Sequence, residues 1–447
     1  MISVREHDRS KTTIIMRLIV FALLGLAYAS LAMAADSTWI VKTDLWGNPA
    51  YSTLTLSERG TRLSGDIDGD PLVGTKAGNS IEFKVMDRRR TSYHFSGEID
   101  GDAMTGTSDA PDQNRPTTRV THRFSARLLP DRPKGPPRTI DFKPTDYANT
   151  FDPHRLPVLT IWPGDTVRTQ TIDSGGVDAT GTTRALYGNP QTGPFFIADA
   201  RPGDALVVRI RRLRLNRDYA DSLDMIVRRL QAPALAARAT ELGKPVRWKI
   251  DLAKGTASPE TAGGRLDSLA VQVRPMLGSL AVAPGNGSPP ISTGDTGNFG
   301  GNMDFNEVIE GNAVYLPVQQ PGALLYLGDA HAVQGDGETS QYALETSMDV
   351  EFTVDLIKGK SIDMPRVESP TQIMVLGQAG SLDDALRSAT TGMVNWLAQD
   401  YGLSVSESAQ LLGSSSKLSV ANLAGRSVGI AVKIDKAILG RIGPAKP

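Results

Sequence analysis

Cysteine is absent from the 447 residues, so no disulfide, thiolate nucleophile or thiolate-ligated zinc can form. Histidine is scarce: only His7, His94, His122, His154 and His331 occur, which argues against a three-histidine zinc site. Neither sign of charge is in excess, with 48 basic against 49 acidic residues and no long run of either. Nucleic acid and anionic membranes are therefore not indicated partners, and a small neutral ligand fits better. The apolar run at the N-terminus, Leu18 to Leu31, falls short of the roughly 20 residues that span a bilayer. With Arg17 before it and Ala32-Met33-Ala34 after it, it has the layout of a signal peptide cleaved after Ala34. The expected location is the periplasm or the exterior, with no membrane anchor after cleavage.

What is abundant is glycine, 44 residues, with 28 prolines. Spread between alternating apolar stretches, they predict many short strands joined by tight turns. The expected fold is mainly β: a sandwich-like or barrel-like catalytic domain with a few C-terminal helices, plus a small N-terminal β module. The boundaries read as a signal peptide over 1–34, the module over 35–130, a linker over 131–140 and the main domain over 141–447. Within the module, Gly65-Asp66-Ile67-Asp68-Gly69-Asp70 returns 32 residues later as Gly97-Glu98-Ile99-Asp100-Gly101-Asp102. Each copy reads as strand, Asp-Gly turn, strand. A calcium loop is disfavoured, because the glycine is misplaced for an EF-hand and Ala77 stands where its closing glutamate belongs.

In the main domain, Trp162-Pro163-Gly164-Asp165 and Arg201-Pro202-Gly203-Asp204 place similar turns before apolar strands. Asn216 to Leu242, rich in Ala, Leu and Arg, predicts a helical insertion broken at Pro233. Met348, Val350, Phe352 and Val354 alternate with polar residues, which predicts a strand with one wet face. Leu382, Ala385, Leu386, Ala389, Met393, Trp396 and Leu397 recur at helical spacing, with Gly402 as the stop. Ser404 and Glu407 form a capping box for a second helix, and Val428 to Ile438 reads as a last strand.

The densest polar cluster lies between Gly294 and Glu345. Gly300-Gly301-Asn302-Met303-Asp304 sets an amide and a carboxylate beside glycines that let backbone approach a ligand. Gly328-Asp329-Ala330-His331 leads to Asp336, Glu338 and Glu345. Val314 to Leu327, turning at Pro321-Gly322, predicts a hairpin that brings both polar ends to one edge. Amide hydrolysis needs a nucleophile, stabilisation of the tetrahedral oxyanion and a proton for the leaving amine. A metal-activated water with carboxylates nearby supplies all three.

GGNMD at Gly300 to Asp304 and GDAHAVQGDGE at Gly328 to Glu338 resemble the two signature segments of the acetamidase/formamidase family. PGDTVRTQTID from Pro163, GNPQTGPFFI from Gly188 and MLGSLAVAP from Met276 extend the resemblance over roughly residues 155 to 412. It implies a β-rich fold, hydrolysis of small linear amides such as formamide or acetamide, and a divalent metal in some members. Carried over by position, the site residues are Asp173, Asn302, Asp304, His331, Asp336, Glu338 and Glu345. Asp304, His331 and Glu338 are the expected ligands of a zinc or calcium ion, Asp336 or Glu345 the expected proton carriers, and Asn302 the expected holder of the substrate amide. The chain departs from the family where Phe299 precedes the double glycine, a position commonly held by histidine. An exported member also need not act on formamide or acetamide, which cross membranes freely. Two rivals stand beside this reading. Gly413-Ser414-Ser415-Ser416-Lys417 faintly resembles the Ser-Ser-Lys machinery of amidase-signature enzymes but reads better as a polar loop. The other is a non-catalytic exported protein that binds a metal or a sugar. A homo-oligomer is compatible with the composition, which does not fix its order.

Overall fold

The computed structural model describes residues 35–260, 264–285 and 287–442. The expected signal peptide lies outside the described residues. The chain divides into two compact units, the main change falling at Pro130–Asp131 and Gly47–Ser52 grouping with the second unit, and strands dominate both.

The first unit is a closed barrel of eight antiparallel strands in sequence order, sealed where Ala35–Leu45 pairs with Arg119–Leu128. Alternation makes it: in Ser80–Met86, Ile81, Phe83 and Val85 are buried between exposed neighbours. Thirteen buried side chains from Trp39 to Ala126, all apolar, fill the interior, as in small barrels whose side chains leave no lumen. The sequence repeat does form two hairpins, but they are not equivalent. The first turns at Asp68-Gly69, between Ile67 and its partner Asp70, and the second at Gly101-Asp102, between Asp100 and Ala103. Both loop residues have positive φ in the first copy, whereas only the glycine does in the second. That one-residue shift matches the preference of the two turn types for glycine at different loop positions.

The second unit holds a nine-stranded and an eleven-stranded sheet. Thr139–Asp141, at the end of the expected linker, already pairs in parallel with Thr166–Thr171. Met348–Ile357 runs between Thr166–Thr171 and Ala205–Leu215, with Met348, Val350, Phe352 and Val354 buried as their alternation requires. Leu382–Tyr401 forms a helix that ends at Gly402 in the left-handed conformation. It packs Ala389, Met393, Trp396 and Leu397 against Ile373, Val375, Val432 and Ile434. Each large side chain so buried contributes about 1.5–3 kcal/mol. The Ser404–Glu407 capping box is present at the start of the helix Val405–Ser415.

Three expectations are corrected. Asn216 to Leu242 is not one broken helix; its helical content is confined to the short turns Arg228–Leu230 and Pro233–Ala236. Tyr219–Leu223 is a strand paired with Pro245–Asp251, because Ala220 and Ser222 are buried at period two between Tyr219, Asp221 and Leu223. Pro233 is instead the first residue of a one-turn helix, Pro233–Ala236, where its missing N–H costs nothing. The segment Gly413 to Lys417 is not a loop but the last turn of a helix and the first residue of a strand. Ser414, Ser415 and Ser416 donate to the carbonyls of Gln410, Leu411 and Leu412 at 2.7, 2.6 and 2.7 Å, the usual way helical serines satisfy their hydroxyls. Finally, Val314 to Leu327 is not a hairpin. Ala313–Pro317 belongs to the nine-stranded sheet and Leu325–His331 to the eleven-stranded one, so the Pro321-Gly322 turn is a corner between sheets. Gly322 has a φ of 74°, and an added Cβ would lie 2.1 Å from the Phe196 ring, so only glycine fits there.

Candidate active site

Strand Leu325–His331 is buried along its whole length, as expected inside a sheet covered on both faces. Met276–Val282 lies beside it and beside Gly300–Asn302 on its other edge. The two glycine-rich polar segments are thus joined through this third strand and not through a hairpin. Glu345 pairs with His331 across the ladder. Gly278 makes the approach possible: a Cβ there would stand 2.5 Å from Asp329 Oδ2 and 2.6 Å from Asp304 Oδ1. Asp304, Asp329 and Glu338 adopt φ values of 42°, 54° and 45°. Left-handed backbone is costly outside glycine and gathers at functional sites.

The result is a buried group of four carboxylates around one imidazole. Ligand atoms of Asp304, Asp329 and His331 lie within 4.8 Å of one another, as do those of His331, Glu338 and Glu345. His331 is 0% exposed, and Glu338 and Glu345 are 5% exposed. His331 Nε2 lies 3.2 Å from Glu345 Oε1 and 3.6 Å from Asp329 Oδ1, without hydrogen-bond geometry to either. Its other nitrogen is held by Gln334 Oε1 at 2.9 Å. Asp304 Oδ2 accepts from Asn302 Nδ2 at 2.7 Å and from Asn422 Nδ2 at 2.6 Å, while Asn189 Nδ2 donates to Asn302 Oδ1 at 2.8 Å.

Electrostatics follow from this crowding. Burial, then repulsion from Glu338 and Asp329, holds the Asp304 carboxyl well above its ordinary range. Glu338 is pushed up to about 8, chiefly by burial and further by Glu345 and Asp329. Glu345 is raised as well, again mainly by burial. For His331 burial disfavours the imidazolium, but Glu345 and Asp329 outweigh it and raise the ring well above the usual histidine value. Among the described residues no lysine or arginine forms an ion pair with any of the four carboxylates. Buried charges without cationic partners are costly. Asp304 Oδ1, Asp329 Oδ1, His331 Nε2 and Glu345 Oε2 also lack hydrogen-bond partners. One imidazole nitrogen beside carboxylate oxygens, several of them unsatisfied, is a donor set that fits a divalent cation.

Of the residues expected from sequence, Asn302, Asp304, His331, Glu338 and Glu345 come together. Asp336 does not: it is exposed and accepts from Asn306 Nδ2 at 2.7 Å. Asp173 stands one layer out, paired with Arg217 at 2.7 Å. The Asn302 amide is engaged by Asp304 and Asn189 and so acts on a carboxylate. Asp329, Gln334, Asn422 and Arg217 were not foreseen. Asp329 carried a signal, since it stands two residues before His331 on one strand. Asn422 lies 118 residues from Asp304 in sequence, and no local pattern points to it.

A profile of the Acetamidase/Formamidase family matches residues 287–421, the stretch that carries Asn302, Asp304, Asp329, His331, Glu338 and Glu345. A candidate formamidase of Schizosaccharomyces pombe is 39% identical over 66 residues, 14% of this chain and 16% of that protein. The acetamidase of Mycolicibacterium smegmatis is 43% identical over 61 residues, 13% of this chain and 15% of its own length. These alignments span less than two thirds of either relative. The crystal structure of an acetamidase from Yersinia enterocolitica superposes with a TM-score of 0.60 at 28% identity, covering 68% of this chain and 94% of that one.

Proposed function

Because this chain belongs to the acetamidase/formamidase family, we propose that it hydrolyses the C–N bond of small linear amides and releases ammonia. The observation that carries the reading is the sealed group of Asp304, Asp329, His331, Glu338 and Glu345, rich in unsatisfied donor atoms. We assign a divalent ion to Asp304, Asp329 and His331, and the imidazole nitrogen favours zinc over calcium, which takes oxygen ligands. When bound, such an ion supplies a polarised carbonyl and a water of lowered pKa.

The remaining steps fall to side chains of this chain. Gln334 and Asn422 fix the orientations of His331 and Asp304. Glu345 Oε2, which has no partner, takes the proton of the attacking water. Glu338, buried beside Glu345 and Asp329 so that its protonated form is favoured, gives a proton to the leaving nitrogen as a general acid. Burial keeps bulk water from competing and restricts the substrate to a small one. The residue 18–34 pattern supports export, so the amide or carbamate would be one met outside the cytoplasm.

The test is ammonia release from formamide, acetamide, propionamide and simple carbamates by the mature protein, before and after chelation and after reloading with zinc or calcium. Turnover that disappears on chelation and returns with zinc supports the reading. No turnover of any amide by the metal-loaded protein would sink it.

A further inference from the structure

Arginine is seldom fully buried unless paired, yet the Arg217 side chain is 1% exposed and that of Asp173 is 7% exposed. Arg217 Nη2 lies 2.7 Å from Asp173 Oδ2 and donates to the backbone carbonyl of Glu345 at 3.1 Å. Its Nε donates to Thr346 Oγ1 at 3.2 Å and to the Tyr219 carbonyl at 3.1 Å, and the Tyr219 ring lies 4.2 Å from the guanidinium. Asp173 is itself fixed, accepting from the Val177 N–H at 2.8 Å.

The two-residue strand Glu345–Thr346 is held by one ladder pair to Asp221 and two to Ala330 and His331. So short a strand does not by itself set a side chain. A buried ion pair is often no better for stability than well-packed apolar residues, so this one is weak evidence of a stabilising role. We propose that Arg217, anchored by Asp173, is a positioning residue that sets Glu345 against His331 by gripping the Glu345 backbone carbonyl. This rests on the amide-hydrolase reading for its kinetic consequence but not for its geometry.

The test compares Arg217→Met, Arg217→Lys and Glu345→Gln in the full-length metal-loaded protein by crystallography, metal content and steady-state kinetics. Lysine keeps the charge for Asp173 but loses the fork that reaches Glu345 and Thr346. In Arg217→Met the Glu345 carboxylate should move away from His331 Nε2 while Asp304, Asp329 and His331 stay in place with the metal retained. Its kcat should fall about 10- to 100-fold, the usual range for outer-layer partners of a metal site, with KM little changed. Glu345→Gln should lose kcat at least as far, and Arg217→Lys should lie between wild type and Arg217→Met. An unmoved Glu345 in either Arg217 variant, or a loss confined to KM, would overturn the proposal. If wild type turns over no amide, the functional reading fails and the crystallographic arm alone decides the positioning. If Arg217→Met does not fold, Arg217→Lys carries the test.

Discussion

His331 Nδ1 donates to Gln334 Oε1 at 2.9 Å, and the direction of that bond is set elsewhere. Gln334 Nε2 donates to the Asp304 carbonyl at 2.6 Å, an atom that can only accept, so the amide oxygen must face the imidazole. Nδ1 therefore carries a proton, and Nε2 is the nitrogen left for a ligand. Outer contacts of this kind commonly set the tautomer of a metal-binding histidine.

Replacing Gln334 with Ala removes that bond. We expect metal affinity and turnover to fall together by about 10- to 100-fold, with little change in the far-ultraviolet spectrum of this mainly β protein. Metal titration followed by the amide assay reads both. Wild-type affinity in Gln334→Ala would mean that packing alone orients the ring.

Gly278→Ala is the sharper test of how close the strands come. The added methyl would meet both Asp329 Oδ2 and Asp304 Oδ1 inside van der Waals contact, so the carboxylates must separate. Metal content should drop to near zero and turnover with it, while overpacking lowers stability by about 1–3 kcal/mol. Elemental analysis of the purified variant against wild type decides. A full complement of metal would show that the cation does not lie between these two carboxylates.

Strand Met348–Ile357, helix Leu382–Tyr401 and the capping box could be read because each is a local pattern with its own period or stop residue. The turns at Trp162 and Arg201 were legible for the same reason, and in each the aspartate closes back on the first residue's N–H, at 3.0 and 2.9 Å. The segment after Asn216 was misread because Tyr219–Leu223, at its start, has a partner strand in Pro245–Asp251, while its Ala- and Leu-rich part forms only the short turns Arg228–Leu230 and Pro233–Ala236. At the site, Asp304, His331, Glu338 and Glu345 were singled out because they lie in or beside glycine-rich acidic segments that resemble the family's signatures. Asn422 and Arg217 were hidden because their contacts close across long stretches of chain.

The Asp165 turn also gives a pH signature. Burial would raise its carboxyl, but the Arg138 guanidinium at 2.6 Å and the N–H groups of Arg138 and Trp162 outweigh it and hold the group below the ordinary carboxylate range. The native state therefore ionises Asp165 more readily than the unfolded chain does. Its stabilisation is complete above the unfolded aspartate value of about 3.9 and is lost as pH falls through the native one. The melting temperature of Asp165→Asn should lie below that of wild type near neutrality, and the gap should shrink as pH falls below about 4. A gap independent of pH would assign the turn's stability to shape alone.

The serine-rich stretch separates two hydrolase chemistries. If Ser414, Ser415, Ser416 and Lys417 formed a Ser-Ser-Lys machine, their loss would abolish turnover. In the structure the three hydroxyls are spent on carbonyls of their own helix, and Lys417 Nζ pairs with Asp435 at 2.7 Å. Alanine is a better helix former than serine by a few tenths of a kcal/mol. Ser414→Ala with Ser415→Ala should therefore leave amide turnover within error of wild type and the melting temperature unchanged or slightly higher. Turnover assays and thermal unfolding of the double variant measure both, and a collapse of kcat in a folded protein would favour the serine route over the carboxylate one.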